Sequence, residues 1–76
     1  MSITVLTYDS EARMAYLYAG QRPRNGRKAA SAIPTSVVPH GRIDLDTRGR
    51  PIGVEFPARD RTQAIRFALE IELNLL

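Results

Sequence analysis

Three carboxylates fall close together in RIDLDTRGRPIGVEF, residues 42–56: Asp44, Asp46 and Glu55. Oxygen donors of this kind could hold a hard divalent cation, or, as a pair, share acid–base work in hydrolysis. Their neighbours argue against both. A turn centred on Arg48-Gly49 sets Arg42 opposite Glu55 and leaves Arg48 and Arg50 crowding Asp46. Opposite charges across strands form a solvated ladder, each pair worth well under about 1 kcal/mol. A small open sheet also offers no evident cleft for a hydrolytic pair. No metal site is expected.

His40 is the single histidine, lies beside Gly41, and has no cysteine or Ser/His/Asp arrangement to serve. It reads as a loop residue rather than a general base. Tyr8, Tyr16 and Tyr18 could stack on bases, because an aromatic sheet with nearby Arg is a single-strand platform. Tyr16 and Tyr18 share a face with Met14, however, and that face is expected to be core beneath a helix. The stretches GRPIG and GQRPRNG lack the spacing and the following helix of a phosphate-cradling loop. The expectation is a non-enzymatic protein without a cofactor.

The remaining cluster is GQRPRNGRKAAS, residues 20–31, with Arg22, Arg24, Arg27 and Lys28 and no acid among them. Pro23, Asn25 and Gly26 favour turns over a fixed platform, and no aromatic is interleaved with the charges. At about twelve residues it is longer than most strand connections. It is expected to be a solvated arm that orders on an acidic partner, with phosphate contact to nucleic acid as the alternative. The whole chain supports that ranking. Ten of its eleven basic residues are Arg, but eight acids are interspersed and the formal charge is only +3, weak grounds for a nucleic-acid footprint.

The elements that must position these groups are those of one small domain. A chain of 76 residues buries only about 60–65% of its unfolded surface, so its core alone is marginal. Disulfides, metals or self-association usually compensate. With no cysteine, a disulfide and a thiolate zinc site are both ruled out, which leaves association and fits a cytosolic setting. No window approaches the roughly 18 apolar residues of a membrane span. MSITVLTYDSEARM lacks the basic start and apolar core of a signal peptide.

Residues 3–8 alternate β-branched and polar types, and 13–19 form a second strand across the turn formers Asp9, Ser10, Glu11 and Ala12. Closing that hairpin (residues 1–19) sets Val5 near Tyr16 and Ile3 near Tyr18. Pro34 and Pro39 flank residues 36–38 and mark 32–38 as a short, irregular edge strand, with His40-Gly41 as the bend after it. In the second hairpin, Gly49 supplies positive φ at the turn. That closure pairs Leu45 with Ile52 and Ile43 with Val54 on one face, and Arg42 with Glu55 and Asp44 with Gly53 on the other. The edge strand and this hairpin together occupy residues 32–57.

Residues 60–76 admit two readings. Positions 65–75 alternate strictly, as a strand does. Asp60 with Gln63 makes a capping pair, Arg66 stands one turn from Glu70, and the Ala/Leu/Glu/Arg/Gln content favours helix. Helix is preferred. Its polar stripe of Gln63, Arg66, Glu70 and Asn74 is narrow, and an apolar arc well beyond about 100° cannot all be hidden on one small sheet. The surplus, represented by Phe67, Ile71 and Leu75, is expected to bind a partner.

Two stretches resemble a known family. YDSEARMAYLY is similar to the opening signature of the domain of unknown function 2283 family, matching at Tyr8, Asp9, Glu11, Ala12 and Tyr16. IDLDTRGRPIGVEF resembles its second signature, matching at Asp44, Asp46, Gly49, Arg50, Gly53, Val54 and Glu55. The motifs occur in the right order over about two-thirds of the chain. Arg13 stands where the family commonly has Asp, and the Arg-rich insertion is longer than the family's connection. The resemblance implies a small β-rich bacterial or phage protein with no assigned activity, and an antitoxin or accessory role beside toxin-like partners.

The combined expectation is an α+β fold: a small antiparallel β-meander of about four strands with a C-terminal helix packed on one face. Its function is expected to be that of a non-enzymatic, oligomeric interaction protein of the accessory, antitoxin-like or phage-encoded type, acting in the bacterial or host cytosol. It would bind through the apolar helix face and the basic loop. Nucleic-acid binding through the Arg-rich loop is the alternative.

Overall fold

The structure, a computed structural model, describes residues 5–20 and 29–75. Five strands and one helix follow in order: β1 (Val5–Asp9), β2 (Met14–Tyr18), β3 (Ser31–Thr35), β4 (Gly41–Leu45), β5 (Pro51–Pro57) and α1 (Arg61–Asn74). The architecture is α+β as expected, with five strands rather than about four. All neighbours are antiparallel in the order β1-β2-β5-β4-β3. It is therefore not a simple meander. Only β3, β4 and β5 run consecutively; β2 pairs with β5, and the chain crosses from β2 to the far edge before β3 begins. Both ends of that crossing are tied to the sheet, by Ala19 N–H to Ile52 O and Ala30 N–H to Leu45 O, each 2.8 Å.

The β4–β5 register matches the expected one at Ile43–Val54, Arg42–Glu55 and Asp44–Gly53. It departs at Leu45, which faces Pro51 rather than Ile52, because a bulge intervenes between Asp44 and Leu45. The turn is held by Asp46, whose Oδ1 accepts the backbone N–H of Arg48 and Arg50, while Gly49 takes the left-handed conformation at φ 75°.

The first hairpin is shifted by two residues from expectation. Val5 faces Tyr18 and Thr7 faces Tyr16; Ile3 lies outside the described residues. The shift has a local cause. Asp9 stays in the strand opposite Met14, and its carboxylate accepts the N–H groups of Glu11 and Ala12, so the loop is residues 10–13 with Arg13 left-handed at φ 54°. The edge strand also ends early. Thr35 Oγ1 accepts the N–H of Val37, and the turn carries Val38 into the core, where it is fully buried.

Helix is the outcome for the tail. Asp60 caps it by accepting the Gln63 N–H at 2.8 Å, and Gln63 Oε1 reaches back to the Arg59 N–H, one residue outside the usual reciprocal box. One helix face is small: Ala64 and Ala68 are buried with Ile71. These three pack with Ala15, Leu17, Val38, Val54, Phe56 and Ala58 into a single core. Small side chains on the helix and at Ala15 and Ala58 allow close approach, and Phe56, Leu17 and Ile71 fill the space between the layers.

That packing reverses one expectation. Ala15 and Leu17 of β2 face the helix; Met14, Tyr16 and Tyr18 point to the other side of the sheet and are half-buried. Tyr8 is the tyrosine on the helix side, its hydroxyl donating to Ala58 O at 2.8 Å.

Candidate interaction surface

Of the expected partner-binding residues, Arg22, Arg24, Arg27 and Lys28 lie outside the described residues. On the helix, Ile71 is fully buried and Phe67 is half-buried, its ring edge-on to Phe56 at 6.1 Å. Ile71 therefore serves the core, which corrects its assignment to a partner, while Phe67 packs against the core and keeps part of its ring at the surface. Leu75, 37% exposed, remains at the surface. On the helix, the apolar side chains left most exposed are instead Ile65 (48% exposed), Leu69 (54%) and Leu73 (82%), and Ile33 on β3 is exposed to a similar degree. The i, i+4, i+8 spacing of the three on the helix makes one stripe along α1. Strict alternation in residues 65–75, and apolar residues around most of the helical circumference, concealed the phase. The signal that could have located it is Ala64 and Ala68, since small residues mark the face that approaches the sheet most closely.

The stripe borders the sheet at β1. Leu6 and Tyr8 of that strand, with Arg61 and Ile65 of the helix, line a depression of about 320 Å³. A second depression of about 320 Å³ lies at the start of the helix, lined by Arg13, Pro39, Pro57, Ala58, Arg59, Gln63 and Phe67. Its walls bring arginines and apolar groups together, with no carboxylate among them.

The helix-free face is chemically different. Tyr16 donates its hydroxyl to Asp44 Oδ2 at 2.8 Å, spanning β5 above Gly53. Its ring lies 4.7 Å from that of Tyr18, tilted by 52°. Burial, and then the hydrogen bond to the Asp44 carboxylate, push the phenol well above its ordinary range, so Tyr16 stays a neutral donor. Two tyrosines thus stand on this face with Asp44, Glu55 and Arg42, and the two carboxylates outweigh that arginine, which opposes a phosphate chain. Beside them a shallow depression of about 270 Å³ is lined by Thr7, Tyr8, Asp9, Met14, Ala15, Tyr16 and Glu55.

The third carboxylate is engaged in its own turn. Besides the two backbone N–H groups, Asp46 receives Nε of Arg50 at 3.2 Å, and these contacts hold its carboxyl below the usual range. Asp44, Asp46 and Glu55 therefore do not converge; among the described residues no three metal-ligating side chains gather. His40 occupies an exposed bend with φ 57°, consistent with a loop role. Among the described residues no helix is long and apolar enough to cross a membrane.

The fold and surface define a small α+β domain: a five-stranded antiparallel sheet with one helix, carrying an apolar helical stripe at one edge and a tyrosine–carboxylate face behind. Comparison of the chain with protein-family models, with curated proteins and with solved structures finds no match.

Proposed function

We propose that the chain is a small non-enzymatic interaction protein, of an accessory, antitoxin-like or phage-encoded kind acting in the cytosol, that binds a protein partner through the exposed flank of α1. The observation that supports this is the stripe Ile65, Leu69 and Leu73, three large apolar side chains 48%, 54% and 82% exposed in a row on a domain with a small core. The Arg-rich segment 22–28 adds long-range attraction and steers an acidic partner.

The test is affinity capture from bacterial extract with the wild type and with a Leu69→Glu, Leu73→Glu double variant. Both positions are exposed, so the variant is expected to fold, which circular dichroism checks. One or more proteins captured by the wild type and lost by the variant are expected; identical capture by the two would overturn the proposal.

A second reading has one observation in its favour. Both anchor points of the Arg-rich segment lie at the sheet end that carries the β4–β5 turn, where Arg48 and Arg50 are exposed. Phosphate contact would draw on the cations of that turn and of the Arg-rich segment. Binding to random DNA and RNA that falls steeply with salt is the expected result on this reading, and its absence at low salt removes it.

A further inference from the structure

We infer that the occupant of the α1 flank is a second copy of this chain, which pairs its β1 antiparallel with β1 and covers the stripe with its own. This rests on the proposal that the stripe is a docking face, and it names the partner.

The two edges of the sheet are unequal. β3 carries Pro34 within its five residues, and proline blunts an edge by removing a donor. β1 is Val-Leu-Thr-Tyr-Asp, with no proline, lysine or arginine and a strong strand composition. Its outward backbone groups follow from the ladder. Ala19 N–H bonds to Ile52 and Arg13 O accepts from Ala58, so odd-numbered residues of β2 face β5 and Met14, Tyr16 and Tyr18 face β1. Their partners Val5, Thr7 and Asp9 are thereby paired. Leu6 and Tyr8 turn their N–H and C=O groups to the open side.

The apolar stripe stands over that same edge, because Ile65 and Arg61 share a depression with Leu6 and Tyr8. An extended peptide added to β1 would pair with Leu6 and Tyr8 but leave Leu69 and Leu73 uncovered, since they lie one layer above the sheet. An isolated helix would cover the stripe and leave the edge open. An occupant that satisfies both has a strand and a helix in the same two layers, which is how this chain is built. Charge fits a two-fold arrangement. A two-fold through the middle of β1 keeps the two Asp9 carboxylates apart. A stable interface takes about 800 Å² from each partner, roughly one-seventh of the 5603 Å² of this surface; one full side of a two-layer molecule 32 × 25 × 25 Å in extent is of that order.

The experiment joins sedimentation equilibrium with amide hydrogen exchange, on the wild type and the Leu69→Glu, Leu73→Glu variant, with circular dichroism confirming that both are folded. At micromolar concentration the expected mass is twice 8.5 kDa. The Leu6 and Tyr8 amides should be protected, and the variant should lose both properties as dissociation strengthens by about 100-fold or more. A dimer that survives the substitutions, or one in which those two amides exchange freely, overturns the inference by placing association elsewhere. A wild-type monomer also overturns it. In that event, partner capture abolished by the same variant leaves the docking face standing with a different occupant, whereas capture unchanged refutes both.

Discussion

Replacing Gly53 with alanine sets a methyl carbon 2.6 Å from the carbonyl oxygen of Leu17 and 2.9 Å from Cζ of Tyr16. Ordinary carbon contacts begin near 3.4 Å, so something must move. The Leu17 oxygen belongs to the β2–β5 ladder, where Leu17 faces Val54, and recedes only if the two central strands part. The Tyr16 ring can tilt, but its hydroxyl is tied to Asp44 and its face is set against Tyr18. Overpacking of this kind costs about 1–3 kcal/mol. If the ring swings away, the hydrogen bond to a carboxylate goes with it, about 1 kcal/mol more at a half-exposed site. Alanine recovers roughly 0.5–1 kcal/mol through its smaller backbone entropy loss. The net destabilisation is about 1–3 kcal/mol, equivalent to a fall in Tm of roughly 5–20 °C for a domain of this size. Urea and thermal denaturation followed by circular dichroism measure it. In a Tyr16→Ala background the part due to the ring disappears and the part due to the Leu17 carbonyl persists. A Gly53→Ala protein as stable as the wild type would refute the close approach of β2 and β5 on which the helix-free face depends.

Ile71→Ala removes a fully buried side chain between helix and sheet and should destabilise by about 2–5 kcal/mol in chemical denaturation; a loss under about 1 kcal/mol would return Ile71 to the surface. Asp60→Ala deletes the acceptor for the Gln63 N–H and should cost about 1 kcal/mol, with Asp60→Asn retaining most of it; equal losses in the two variants would show that the cap is not the cause. Tyr16 has a folded-state pKa raised above its ordinary 10.0, so its stabilisation is complete below about pH 10 and is lost above it, where the unfolded chain ionises first. The wild-type denaturation midpoint should therefore fall more steeply above pH 10 than that of Tyr16→Phe. Parallel profiles would contradict the upward shift of the Tyr16 phenol.

How far the sequence carried depended on whether neighbouring positions differ in polarity. RIDLDTRGRPIGVEF alternates clearly on either side of a glycine turn, so three of four cross-strand pairs were legible; the fourth failed at a bulge that no polarity pattern announces. MAYLY is apolar at every position, so a period of two carries no information about face. Which side meets the helix is decided by size and by hydroxyl chemistry: Ala15 admits the helix, while Tyr16 finds a carboxylate partner on the open side. The helix posed the same difficulty. Its existence was legible from Asp60 and Gln63, but its phase depends on how closely Ala64 and Ala68 approach the sheet. The strand order was hidden for another reason. Pairing of β2 with β5 is a long-range choice, and no local residue in either strand specifies it.

That pairing also shapes how the chain reaches its fold. β1 with β2, and β3 with β4 and β5, are each assembled from neighbours in sequence, as hairpins that form in about 1–10 μs. The seam between them joins Leu17 to Val54, 37 positions apart, and closing so long a loop must precede any benefit from the contact. Core residues Ala15, Leu17, Val54 and Phe56 all meet along this seam, so the first hairpin has no core until it closes. The expected rate-limiting event is the zipping of these two ribbons, so stopped-flow kinetics should find that substitutions at the seam slow folding whereas those in the outer turns chiefly hasten unfolding.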